Sequence, residues 1–187
     1  MIDFATKFAE GETYEAFLAK HGTEEHRRRW SDFHASVALT AAQKKLLAGF
    51  ERDMKVMCLA GAWCGDCVNQ CPILDHFSKA TSRIALHFFD RDAHPDLAGE
   101  LKICGGARVP VVVILSEDDQ EVARFGDRTL AKYRSIAASQ LGPSCPTGIG
   151  APPAELTAAV VQEWVDLFER AQLILRTSAR LRQKHGD

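Results

Sequence analysis

A change in the spacing of apolar residues near Lys55 constrains the fold of this chain more than any other feature. Upstream, over residues 4–53, "TYEAFLAK" and "TAAQKKLLAGFER" place apolar residues three and four apart, the period of helices with one buried face. Thr40 stands ahead of "AAQKKLL" as an N-cap, with Gln43 three residues on to complete a capping box. From Lys55 the chain alternates. "KVMCLAGAW" reads as a short buried strand, and a helical stretch follows from the Cys64 region to about Lys79. "RIALHFFDRD" is a second strand, and "HPDLAGELKI" has the proline-led start of a short helix. "VPVVVILSE" is a third strand, rich in β-branched residues. "EVARFGD" follows the turn-like "EDDQ" and is expected to return as the antiparallel partner of that strand. Residues 130–141 read as a helix. Alternation closed by a hairpin predicts a mixed α/β sheet covered by helices on both faces.

Seven of the twelve residues in "GPSCPTGIGAPP" (142–153) are glycine or proline, which marks a loop or linker. Beyond it, Leu156, Val160, Trp164, Leu167, Ala171, Ile174, Ser178 and Leu181 recur along one face of a single long amphipathic helix. Val161, Val165, Phe168 and Leu173 widen that face. It is expected to pack on the sheet or on the N-terminal helices, with a homodimer interface as the alternative. The organisation expected is an N-terminal helical extension (1–53), an α/β core (54–142), and a linker with a C-terminal helix (143–187). Together these make one structural domain, as 187 residues suit one good core.

A formal net charge of −2 gives no electrostatic reason to expect nucleic acid or an anionic membrane as partner. The one basic cluster, Arg27 to Arg29, has Glu24 and Glu25 beside it and reads as a solvated helix face. The N-terminus lacks a basic start followed by an apolar stretch, and "VPVVVIL" is too short to span a bilayer. The chain is therefore expected in the cytoplasm. Six cysteines in a reducing compartment point to a catalytic or metal-binding set rather than a disulfide framework.

Three of those cysteines, Cys64, Cys67 and Cys71, fall within eight positions of "GAWCGDCVNQCP". Cys64 and Cys67 have C-x-x-C spacing between a strand and the start of a helix. Unpaired N–H groups at a helix N-terminus stabilise a thiolate, and one turn brings the second sulfur within reach of a mixed disulfide at the first. On that reading Cys64 is the nucleophile and Cys67 the resolving thiol. The spacing also admits a metal or iron–sulfur site, with Cys64, Cys67 and Cys71 as ligands and His76 or Cys104 as the fourth.

The segment "WCGDCVNQCPIL" resembles the active-site segment of the thioredoxin superfamily, with Trp63, Cys64, Gly65, Cys67 and Pro72 at matching positions. "DRDAHPDLAGELKICGGARVPVVVIL" is similar to a second superfamily segment through Asp90, Asp92, Pro95, Leu97, Ala98 and Pro110. The resemblance runs over residues 55–126. It implies a thioredoxin-like fold and thiol–disulfide exchange through Cys64 and Cys67, with protein disulfides as substrates. No cofactor is implied beyond the redox-active Cys64–Cys67 disulfide, and no metal is assigned. It also implies a cis Val109–Pro110 bond beside the dithiol and a substrate-binding surface made by Trp63, Gly65, Asp66, Val109 and Pro110. Implied partners are a protein or small-molecule disulfide and an electron donor.

The chain departs from that pattern at three places. Gly65-Asp66 replaces Gly-Pro between the cysteines, which sets a carboxylate beside the thiolate while favouring the first helical turn. Cys58 replaces the buried aspartate of thioredoxins proper. The helical extensions at both ends lie outside the minimal fold. Cys58 and Cys71 are expected as packed small residues. Cys104 is expected to be structural, although its place before Gly105-Gly106 puts it near Pro110 in sequence. Cys145 is expected to be exposed. A non-enzymatic interaction module built on the C-terminal helix remains a third reading.

Overall fold

A computed structural model of the chain describes residues 2–140 and 155–187; the expected linker and Cys145 lie outside them. The N-terminal region forms four helices, α1 (Phe4–Phe8), α2 (Tyr14–His21), α3 (Glu24–Ser36) and α4 (Ala41–Ala48). Asp3, Thr13, Thr23 and Thr40 cap them, each side-chain oxygen accepting from a backbone N–H of the first turn. The Thr40–Gln43 capping box forms, its two bonds 3.2 and 2.9 Å long. The arginines of α3 are exposed, as a solvated face requires.

Four strands, β1 (Met54–Ala60), β2 (Ile84–Asp90), β3 (Val111–Leu115) and β4 (Glu121–Gly126), make one sheet in the order β2-β1-β3-β4. β1 runs parallel to β2 and antiparallel to β3, and β3 and β4 form the expected hairpin. All five residues of β3 and six of the seven in β1 are buried, so the centre of the sheet is covered on both faces. Part of that cover comes from the N-terminal region. Phe17 packs on Phe88 with ring centroids 5.6 Å apart, and Glu12 adds a single antiparallel bridge to the outer edge of β2.

The remaining helices are α5 (Gly65–Val68), α6 (Cys71–Ala80), α7 (Pro95–Glu100), α8 (Leu130–Gln140), α9 (Leu156–Thr177) and α10 (Ala179–His185). Two expected helices are therefore divided. The stretch after Cys64 breaks at Gln70 (φ −130°, ψ −44°), and Pro72 stands at the start of α6 rather than inside one continuous helix. Pro72 has no N–H to donate to Val68, and its ring disfavours a helical residue before it. The C-terminal helix stops at Ser178, which is extended and caps α10 by accepting from Leu181 N–H at 3.4 Å.

The buried stripe of α9 runs through Val160, Val161, Trp164, Val165, Phe168, Ala171 and Leu175, whereas Leu173 and Ile174 are 55% and 40% exposed. A 3.6-residue period passes through Ala171 and Leu175 and leaves those two on the flank. Trp164 meets Phe125 of β4 edge-on, and Phe168 meets Phe77 of α6 at 5.2 Å. The stripe from Val160 to Leu175 is thus buried within the chain, while Leu173 and Ile174 stay outside it. Among the described residues no helix is long and apolar enough to cross a membrane.

Candidate active site

β1 ends at Ala60, and within five residues the chain enters α5 with Cys64 as its N-cap. The turn between them is held from the N-terminal extension. Trp30 of α3 is fully buried, and its Nε1 donates to the carbonyl of Ala62 at 2.9 Å. At Gly61 a Cβ would lie 2.7 Å from the indole ring of Trp63, so a larger residue there would make that ring shift. Trp63 itself is 43% exposed, with the Arg91 guanidinium 4.5 Å from its ring centroid.

Cys64 is partly exposed and Cys67 is fully buried. The Cys64 thiol points at the carbonyl of Val109 at 3.5 Å, and the Gly61 amide points at Cys67 Sγ at 3.5 Å. The Val109–Pro110 bond is cis. Gly126 lies against it, since a Cβ there would stand 2.7 Å from the Pro110 oxygen. The two sequence segments that carried the resemblance therefore meet at one place. They enclose a cleft of about 360 Å³ lined by Trp63, Cys64, Asp66, Val109 and the three arginines Arg91, Arg108 and Arg128, among others. Gly65, between Cys64 and Asp66 in the chain, is exposed and does not line the cleft.

The two thiols titrate as a pair that shares a proton, losing the first below the ordinary thiol value and holding the second above it. With that proton on Cys64, burial opposes a charge on Cys67. Hydrogen bonds from Cys64, Cys71 and the Gly61 amide outweigh it, and hold Cys67 at about 5. Cys64 is then pushed up by its bond to Cys67 and by burial. With the proton on Cys67 instead, the Asp66 and Cys67 N–H groups favour a thiolate at Cys64.

The carboxylate of Asp66 is clamped by Arg128, whose Nη2 and Nε stand 2.6 and 2.8 Å from Oδ2. This pairing offsets part of the Asp66 charge, which still opposes a thiolate at Cys67. Asp127, next in chain to Arg128, is buried. Burial opposes its charge, but the Tyr133 hydroxyl, its own amide, Arg128 and Arg108 prevail and hold its carboxyl below the usual carboxylate range.

Cys58 and Cys71 are both fully buried, with sulfurs 3.7 Å apart. Burial, followed by hydrogen bonds to Cys58 and Cys67, pushes the Cys71 thiol well up. Cys58, where thioredoxins proper carry aspartate, thus offers a sulfur behind the dithiol rather than a carboxylate. Neither expected fourth metal ligand joins this group. The His76 ring stacks on His34 at 4.2 Å and bonds the His34 carbonyl at 3.0 Å. Cys104 is exposed in the Ile103–Gly106 turn and does not line the cleft. Among the described residues no three His, Cys, Asp or Glu side chains are arranged to hold a metal ion.

Sequence reasoning missed Trp30, Gln70, Arg91, Arg108, Asp127 and Arg128. Asp127 and Arg128 directly follow the strand that pairs with the cis-proline strand, and this adjacency was the one available signal. Gln70 carried none. It is 2% exposed, donates to the Asp127 carbonyl at 2.9 Å and accepts from Trp164 Nε1 at 3.1 Å.

The family described as Thioredoxin matches residues 11–137, more than half of the chain. The chain belongs to the thioredoxin superfamily, and that membership suggests a redox-type function. Two solved structures share its fold over nearly its whole length. A protein of unknown function from Pseudomonas aeruginosa is 23% identical, with a TM-score of 0.65 over 92% of this chain and 93% of its own. An HIV epitope scaffold is 21% identical, with a TM-score of 0.64 over 95% of this chain and 100% of its own. The likeness therefore takes in most of the helical segments outside the minimal fold. No curated protein matches the sequence.

Proposed function

We propose that this protein is a thiol–disulfide oxidoreductase that reduces disulfides through Cys64 and Cys67. The observation that carries the reading is the placement of Cys64. It is the partly exposed member of a thiol pair that shares a proton, it opens into the cleft, and it faces the carbonyl that precedes a cis-proline.

The Cys64 thiolate attacks one sulfur of a substrate disulfide, and the other substrate sulfur leaves as a thiolate that takes up a proton. Cys67 loses its proton and attacks Cys64 Sγ in the resulting mixed disulfide. The second substrate sulfur leaves reduced, and a Cys64–Cys67 disulfide remains. Two electrons have passed to the substrate, and a dithiol donor returns them in the reverse sense. Trp63, Asp66 and Val109 line the cleft with Cys64, Gly65 and Pro110 adjoin them in the chain, and an extended substrate segment laid beside Val109 would use the strand-addition mode of recognition. A disulfide-bearing protein or small molecule is the substrate class. A reducing compartment such as the cytoplasm suits the chemistry.

The test is a redox equilibrium against dithiothreitol buffers, with the state of Cys64 read by alkylation after acid quench. A two-electron transition at Cys64 with a midpoint at roughly −230 mV or below is expected for a reductant. A Cys64 thiol that stays alkylatable across the whole range contradicts the reading.

A further inference from the structure

Two thiols stand behind the dithiol and take no part in the exchange just described. Cys58, in the middle of β1, and Cys71, at the start of α6, are fully buried with their sulfurs 3.7 Å apart. Cys67 and Cys71, four residues apart, each act on the other's ionisation, as Cys64 and Cys67 do. Four cysteines thus run from the cleft to the central sheet in the order Cys64, Cys67, Cys71, Cys58, with the last two sulfurs in contact.

We propose that Cys58 and Cys71 form a second, internal dithiol that takes over the disulfide made at Cys64 and Cys67, so that one chain delivers four electrons rather than two. The proposal rests on the dithiol reading above. In its first step the Cys71 sulfur attacks Cys67 Sγ. The Cys64–Cys67 bond breaks, a Cys67–Cys71 bond forms, and the proton of Cys71 passes to the departing Cys64. In the second step Cys58 attacks Cys71 Sγ. The Cys67–Cys71 bond breaks, a Cys58–Cys71 bond forms, and the proton of Cys58 passes to Cys67. The products are a buried disulfide and a restored Cys64/Cys67 dithiol, with no net gain or loss of protons or electrons inside the chain. A second substrate disulfide can then be reduced.

Burial favours this direction and this route. Burial keeps the reduced Cys71 thiol protonated, whereas the reduced outer pair holds a favoured thiolate, so the outer pair is the better holder of the reduced state. Burial also bars an external disulfide from reaching Cys58 or Cys71, which leaves Cys67 as the entry point. Because Cys71 resists ionisation, its attack depends on passing its proton to the sulfur it displaces.

The test uses the full chain carrying Cys104→Ser and Cys145→Ser, which leaves the four sulfurs of the chain alone. The reduced protein is incubated with glutathione disulfide, quenched in acid, denatured, alkylated and weighed intact. The expected result is no alkylation and no glutathione adduct, with four hydrogens lost. Two alkylatable thiols remaining would overturn the internal dithiol and leave the Cys64/Cys67 exchange standing. All four remaining would overturn both. Adding Cys64→Ser should leave its three remaining thiols reduced under the same treatment. Oxidation of Cys58 and Cys71 in that variant would show that the dithiol does not feed them, which also overturns the proposal.

Discussion

Trp164 Nε1 donates a 3.1 Å hydrogen bond to Gln70 Oε1, which ties the C-terminal helix to the residue that separates the two helices behind the dithiol. The Gln70 amide passes the connection on, donating to the Asp127 carbonyl at 2.9 Å beside the strand that flanks the cis-proline. A helix far along the chain is therefore bonded through one side chain to the floor of the cleft. Gln70→Ala leaves the Trp164 N–H and the Asp127 carbonyl without this partner. A loss of about 2–4 kcal/mol is expected in urea unfolding, from two buried groups left unpaired. A loss within about 0.5 kcal/mol, typical of a surface change, would contradict the connection.

Arg128 pairs with the carboxylate of Asp66, two residues from Cys64. Arg128→Ala exposes the thiol pair to an uncompensated negative charge, which disfavours the thiolate. Alkylation of Cys64 on the acid side of the pair's first ionisation should slow by about two- to fivefold. Asp66→Asn in the same background should restore the rate. An unchanged rate in the single variant would show that the ion pair does not act on the dithiol.

The first ionisation of the thiol pair lies below the ordinary thiol value. A lowered thiol pKa means that the thiolate is already formed at neutral pH and is lost only as the solution becomes acidic. Because Cys64 and Cys67 share that proton, the thiolate fraction at Cys64 follows this first ionisation while the second proton is held above the ordinary value. Its alkylation rate is therefore expected to rise from acid pH and level off by neutrality. A rate that keeps climbing through about pH 8.5, where a free thiol ionises, would contradict it.

The strands and the capping box were legible because each is written locally, in β-branched runs or in Thr40 and Gln43 three residues apart. The motif cysteines and Pro110 were legible because they sit in two recognisable segments. The breaks at Gln70 and Ser178 were not. Pro72 signals a boundary by its missing N–H, yet the same proline fits a kinked continuous helix, and Ser178 lay on the expected apolar stripe. Arg91, Arg108 and Arg128 were hidden for a different reason. They come from separate loops, and only the folded sheet brings them to one cleft. The sulfur contact between Cys58 and Cys71 likewise depends on a strand and a helix start that are 13 residues apart.

The central claim is that Cys64 is the attacking sulfur and Cys67 the resolving one, and trapping tests it most directly. The Cys67→Ser variant, mixed with a disulfide-bonded protein such as insulin, should accumulate a covalent adduct through Cys64 that dithiothreitol releases. The Cys64→Ser variant should form no adduct and reduce no insulin. Full reduction of insulin by the Cys64→Ser variant would contradict the account.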